Sequence, residues 1–247
     1  MSPGAVVVTS STPIWYITRA TGLMATVLLT GTMALGLLSS VRFEAATWPR
    51  YITGALHRNV ALVALVFTGL HIVTAVADSY TPISLADVVF PFISAYRPFW
   101  LGLGTIAFDL MVAVTVTSLV RTRLGYRSWR LVHWSVYLCW PVAVVHGLGT
   151  GTDTPASWVL WLTGASVALI TVLIIWRLAQ GWPASPGVRV ASAVALAVVL
   201  VASGVWLANG PLQPGWSKRA GTPSSLLSKA ARAAQTSAPA GGGKGAH

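Results

Sequence analysis

The sequence predicts an all-α membrane protein of six spanning helices, and three observations predict it. Of its 247 residues, 55% are apolar and only 9% are charged, above the ~45–50% apolar share of ordinary globular chains. Six apolar runs each reach the roughly 20 residues needed to cross a hydrocarbon core about 30 Å thick at 1.5 Å per residue. The 16 Lys and Arg, against 5 Asp and Glu, gather in short loops between those runs. A nucleic-acid binder would instead carry them as patches on a polar surface, so that class is excluded.

The first run, 14–38, has no charged residue before it. It lacks the basic flank of a secretory signal and is expected to be retained. The second, 52–77, follows a loop with Arg42 and Arg50; the third, 99–120, opens after Arg97-Pro98. The fourth, 129–149, follows the basic stretch 121–127, the fifth is 156–176 and the sixth 188–208, each after a turn-rich connector. The loops after odd-numbered spans and their flanks hold Arg42, Arg50, Arg58, Arg121, Arg123, Arg127, Arg130, Arg177 and Arg189. The other side holds Arg97, Lys218 and Arg219 with Asp78, Asp87 and Asp153. The positive-inside bias then puts the odd loops in the cytoplasm of a plasma membrane and both termini outside. Trp15, Trp48, Trp100, Trp129, Trp158, Trp182 and Trp216 fall near span ends, where amphipathic rings prefer the interface.

Three parts result: a short N-terminal segment 1–13, a membrane domain 14–208, and a basic tail 209–247. The tail turns to Pro, Gly, Ser and Ala, and is expected to be disordered. The single cysteine, Cys139, lies inside an apolar run, which excludes a disulfide framework and a four-thiolate cluster.

Four histidines lie inside spans, where an ionisable side chain is costly and faces the bundle interior or a bound group. His57 and His71 stand fourteen apart on the second span, His133 and His146 thirteen apart on the fourth. Both spans run in the same direction, so His57 and His133 share an inner level and His71 and His146 an outer one. Fourteen residues rise about 21 Å and thirteen about 19.5 Å. Two facing pairs at matched depth suit two planar iron porphyrins held edge-on between helices, since neutral imidazole is a common iron ligand. Four ligands on two irons leave no open position, which favours electron transfer over oxygen chemistry.

Fourteen helical steps fall about 40° short of four turns, so His57 and His71 share a face; thirteen fall about 140° short. Pro141, between His133 and His146, is expected to bend or rotate the helix and help bring the second ligand round.

The contexts Leu56-His57-Arg58, Leu70-His71, Trp129-Arg130-Leu131-Val132-His133 and Val145-His146-Gly147 resemble the ferric reductase-like transmembrane domain. That superfamily includes ferric reductases, NADPH oxidases and the membrane subunit of bacterial methionine-sulfoxide reductase. The likeness covers about 15–176, with further matches at Arg19, at Pro91-Phe92-Ile93-Ser94-Ala95-Tyr96-Arg97-Pro98 and at 149–154. It implies a dihaem b-type cytochrome, two haem b groups held by the four histidines as iron ligands, that moves single electrons between membrane faces. The chain is similar to small bacterial forms without a flavin and nicotinamide domain. Its tail leaves no room for one, so by itself it is not expected to oxidise a nicotinamide. Separate donor and acceptor proteins are implied, an extracytoplasmic flavoprotein or metal acceptor among them, with FMN on this chain or on the partner. NADPH oxidases place a second His one turn beyond the outer ligand; Ala75 stands there, which argues against superoxide production.

Haem propionates want guanidinium partners. The resemblance places Arg19 beside the outer haem, in contact with a propionate or steering an oxidant; its position alone fits equally a side chain snorkelling to the interface. Arg58 and Arg130 adjoin the inner ligands and hold inner propionates or act as positive-inside anchors; Arg97 serves the outer haem or caps its loop. Asp109, well inside the third span, is expected to bond a neighbouring helix rather than relay protons. Thr115, Thr117 and Ser118 read as polar packing between helices. The residues by themselves leave a second function open, a haem-free membrane scaffold or metal-transport subunit whose histidines bond one another or a metal in transit.

Overall fold

No water reaches the bilayer core to satisfy backbone N–H and C=O groups, so an apolar run crosses as a helix, which bonds them internally. The computed structural model describes residues 13–44, 48–79, 81–180 and 184–237. Its elements in chain order are α1 (Pro13–Ser40), α2 (Arg50–Ala77), α3 (Leu85–Val89), α4 (Pro98–Leu119), α5 (Arg121–Leu124), α6 (Tyr126–His133), α7 (Val136–Thr150), α8 (Ser157–Gln180), α9 (Pro186–Asn209), α10 (Trp216–Arg219) and α11 (Ser224–Ser237). Six spans result, the fourth made of α6 and α7 together. This is the multi-pass, all-α membrane fold expected. The N-terminal segment lies outside the described residues except for Pro13.

α1 is the hub. It packs along α2 and also against α7 and α8, while α4 packs along α7. The buried core joins Met33, Ala34 and Leu37 of α1 to Trp140, Val144 and Leu148 of α7 and Ile170 of α8. Threonines in α1 fit this apolar setting by turning their hydroxyls back: Thr18, Thr26, Thr30 and Thr32 each donate to the carbonyl four residues earlier. The Thr30 hydroxyl also accepts from the Trp140 indole at 3.0 Å, tying α1 to α7. α2 rests mainly on α1 and does not pack along α7. A slot is left between the two histidine-bearing helices.

The fourth span is not one continuous helix. It breaks at Trp134–Ser135, and Ser135, Tyr137 and Leu138 donate to carbonyls three rather than four residues back. Such tight winding turns about 120° per residue instead of 100°. Three residues wound this way recover about 60° of the ~140° by which His133 and His146 fall out of phase. Part of the rotation expected of Pro141 therefore arises in the turn before it. Pro141 sits inside the continuous α7; the carbonyl its missing N–H leaves free, Tyr137, belongs to that turn.

The tail departs from expectation. Residues 209–237 were expected to be disordered, yet they carry α10 and α11, and the stretch before α11 folds onto the His71/His146 end of the bundle. Pro211 and Ala220 are buried. The Trp216 ring packs against Trp100 at 5.2 Å and Trp206 at 6.3 Å. Composition pointed to disorder because the tail is rich in small residues; one indole and one proline supplied the burial that overcame it. Positions 238–247 lie outside the described residues.

Candidate functional site

The antiparallel contact of α1 with α2 sets two of the four histidines. His57 Nδ1 lies 2.9 Å from the Thr32 carbonyl oxygen and His71 Nδ1 2.8 Å from that of Thr18. Carbonyls only accept, so in both rings Nδ1 carries the proton and donates. On the other side of the slot, His146 Nδ1 donates to the Trp100 carbonyl of α4 at 2.8 Å. Thr150 Oγ1 lies 3.3 Å from the same nitrogen. The tautomer so fixed leaves Nε2 of all three rings with its lone pair, and no described hydrogen bond uses it. His133 differs. Its Nδ1 is buried without a partner, and its ring stacks on Trp129 at 4.9 Å.

The structure brings His57 to His133 and His71 to His146. Ring centroids are 6.2 Å and 6.4 Å apart, with planes inclined at 69° and 79°. No hydrogen bond joins the rings of either pair, so the facing imidazoles do not satisfy each other. Glycines admit the rings: a Cβ placed on Gly22 would lie 2.8 Å from the His71 ring, on Gly36 3.3 Å from His57, and on Gly104 2.5 Å from His146. These three glycines escaped the sequence reading. Their signal was present, since Gly22 and Gly36 repeat on the first span the spacing of fourteen that separates His57 from His71.

A cavity of about 240 Å³ opens at the His71/His146 level, walled by both rings with Gly22, Gly104, Met111 and Cys139. His57 and His133 do not line it. Cys139 is 3% exposed and gives its thiol proton to the Ala107 carbonyl, a packing contact between α7 and α4.

The arginines separate. Arg19 lines the cavity, and its guanidinium pairs with the Asp153 carboxylate. Its charge is thus matched within the chain by a residue that the sequence reading counted only in the loop charge balance and gave no role at the site. Arg97 is 1% exposed and turns elsewhere: Nη1 donates to the Gly149 and Thr150 carbonyls at 3.0 and 2.9 Å, Nε to Thr222 Oγ1 at 3.0 Å. The Trp216 indole adds a bond to the Gly149 carbonyl. Arg97 and Trp216 therefore satisfy the orphan carbonyls at the C-terminus of α7, one turn after His146. Burial lowers the Arg97 pKa from its ordinary value and the Tyr96 phenol opposes this; an arginine nonetheless stays charged. Arg97 thus caps its loop and the end of α7, and the cavity wall does not include it. Arg58 and Arg130 are exposed beside His57 and near His133, and Arg130 lies over the Tyr126 and Trp134 rings at 5.8 and 5.0 Å.

Two polar expectations change. Asp109 is exposed on α4 and bonds none of the described residues, so the expected helix-to-helix bond is not made among them. Thr115 and Thr117 bond back to the carbonyls of Met111 and Ala113 on their own helix. Only Ser118 joins helices, accepting from the Trp129 indole at 3.1 Å.

Residues 21–144 match the family described as ferric reductase like transmembrane component. The matched stretch encloses His57, His71 and His133 and ends two residues before His146. No curated protein and no solved structure matches the chain significantly.

Proposed function

The chain belongs to the ferric reductase like transmembrane component family, whose general role is electron transfer across a bilayer, and from this membership and the histidine pairs we propose that it is a dihaem b-type cytochrome. The carrying observation is that two pairs of imidazoles face each other across one slot, at two levels, with no bond between them. The residues fit an iron porphyrin at each level. Three rings have Nδ1 tied to a carbonyl and Nε2 left to ligate. Glycines clear the approach. Among the described residues no group of three or more His, Cys, Asp or Glu surrounds one point, so a bare metal ion would lack ligands that a planar macrocycle supplies. This weighs against the metal-transport reading.

Bound there, haem supplies one-electron redox chemistry at fixed depth. The protein's residues bind and orient. His57 and His133 would hold one level and His71 and His146 the other, and in His57, His71 and His146 the Nδ1–H donor fixes the ring and raises its basicity. Apolar walls from α1, α4 and α7 exclude water. Arg19 places a guanidinium in the cavity wall, paired with Asp153, where it would meet an anionic group. Electrons pass between a separate donor and a separate acceptor, a flavin or metal centre outside the cytoplasm, with the His71/His146 level outward in the plasma membrane and both termini extracytoplasmic.

A reduced-minus-oxidised visible spectrum of the purified chain, with haem counted per chain, tests the proposal. Sharp cytochrome bands and two haems per chain are expected. A blank spectrum from cells well supplied with haem overturns it.

A further inference from the structure

In three places, on two different helices, the same local arrangement recurs. The carbonyl that accepts from His71 Nδ1 is that of Thr18, four residues before Gly22. For His57 it is Thr32, four before Gly36, and for His146 it is Trp100, four before Gly104. A helical side chain covers the turn on the N-terminal side of its own Cα. A residue with a Cβ at position i would therefore sit over the carbonyl of i−4, and glycine leaves that carbonyl open to a ring from the next helix. The carbonyl already accepts the glycine's own N–H and has a second lone pair for the imidazole.

We propose that Gly22, Gly36 and Gly104 are imidazole seats, positioning residues that fix the tautomer and the orientation of His71, His57 and His146. The inference rests on the haem reading above and goes beyond it, because it makes the two sites unequal. The His71/His146 site has two seats. The His57/His133 site has one, since His133 Nδ1 has no partner. Counting thirteen along antiparallel α4 from Gly104, as His133 lies thirteen before His146, reaches Thr117 rather than a glycine. Its hydroxyl takes the Ala113 carbonyl that a seat would offer. His133 instead adjoins the break in the fourth span and leans on Trp129. The seatless ligand is the one free to swing, so the inner haem is the first lost.

The test uses the full chain, purified with haem, and reads haem per chain together with the low-spin ferric resonance spectrum, which reports ligand-ring orientation. Gly22→Ala and Gly104→Ala, where a Cβ would lie 2.8 and 2.5 Å from a ring, should each lower the count from two to one and remove the outer signal only. Gly36→Ala, the mild case at 3.3 Å, should shift or deplete the inner signal only. Gly69→Ala, with nothing within 4 Å, should leave both. If Gly22→Ala strips both haems, the double variant with His71→Ala decides: further loss of the inner haem relative to His71→Ala alone marks a general packing defect and overturns the seat, whereas no further loss supports it. Two haems with an unshifted spectrum in Gly22→Ala and Gly104→Ala overturn it outright, as does stepwise haem extraction from the unaltered chain that empties the outer site first. Absence of haem from the unaltered chain would instead defeat the cytochrome reading itself.

Discussion

His71 on the second span and His146 on the fourth stand with ring centroids 6.4 Å apart, each holding a main-chain carbonyl through Nδ1 and neither bonded to the other. On the dihaem reading one porphyrin lies between these rings, and the His57/His133 pair repeats the arrangement at 6.2 Å. His71→Ala should therefore halve the haem content and leave the inner spectrum, and His133→Ala should do the converse. Pyridine haemochrome quantitation of each variant checks this. Identical loss in both would show that the pairs do not act as separate sites.

Arg97→Ala should loosen the His71/His146 end. It removes donors to Gly149, Thr150 and Thr222, and each buried acceptor left unmatched costs about 1–3 kcal/mol. A loss of about 3 kcal/mol is expected, seen as a lower melting temperature in detergent and as new tryptic cleavage at Lys218 and Arg219. Arg97→Lys should not restore it, because one ammonium does not reproduce the planar fork that reaches both helix-end carbonyls and Thr222.

Gly149→Ala should destabilise the same end without touching charge. A Cβ there would lie 2.2 Å from the Trp100 ring, which itself stacks on Trp206 at 5.0 Å. Overpacking of this kind costs about 1–3 kcal/mol, and thermal unfolding of the variant measures it. An unchanged melting temperature would mean that the Trp100 ring moves freely.

The Arg19–Asp153 pair is partly open to solvent, with side chains 26% and 29% exposed. Its contribution to stability should stay below about 1 kcal/mol, so Asp153→Asn should melt close to the parent chain. Reduction of an anionic acceptor at the outer level should quicken and become more sensitive to salt, because an unmatched guanidinium then faces the mouth. Stopped-flow reoxidation at several ionic strengths reads the effect. Rates indifferent to both variant and salt would remove Arg19 from the acceptor path.

Cys139 should resist a membrane-permeant maleimide until the bundle unfolds, since its thiol is enclosed between α7 and α4 and donates to Ala107. Labelling followed by mass spectrometry decides, and rapid labelling of the folded chain would indicate that the cavity opens.

Much of the fold was legible because hydrocarbon imposes a strict rule on the backbone. A span must be apolar and about 20 residues long, so run length alone located all six helices. The histidines were legible because a titratable ring at that depth is costly. Local partners were not legible in the same way. Asp109 was expected to bond another helix and lies exposed, and Thr115 and Thr117 closed on their own helix because a hydroxyl can reach the carbonyl one turn back without help from a neighbour. The tail misled for a related reason: its small-residue composition concealed how few contacts, from Pro211, Trp216 and Thr222, suffice to pin it.

The sequence by itself determined how many helices are long enough to cross, how far apart along a span the histidines sit and which two spans carry them, because rise per residue and apolar length are properties of one segment. Only the tertiary structure decided which nitrogen of each ring is spoken for, which arginine faces the cavity and which seals a helix end, and why one histidine of four is left unsupported. Those outcomes depend on distances between helices, on glycines that let backbones approach, and on an overwound turn at Trp134–Ser135 that no count of residues reveals.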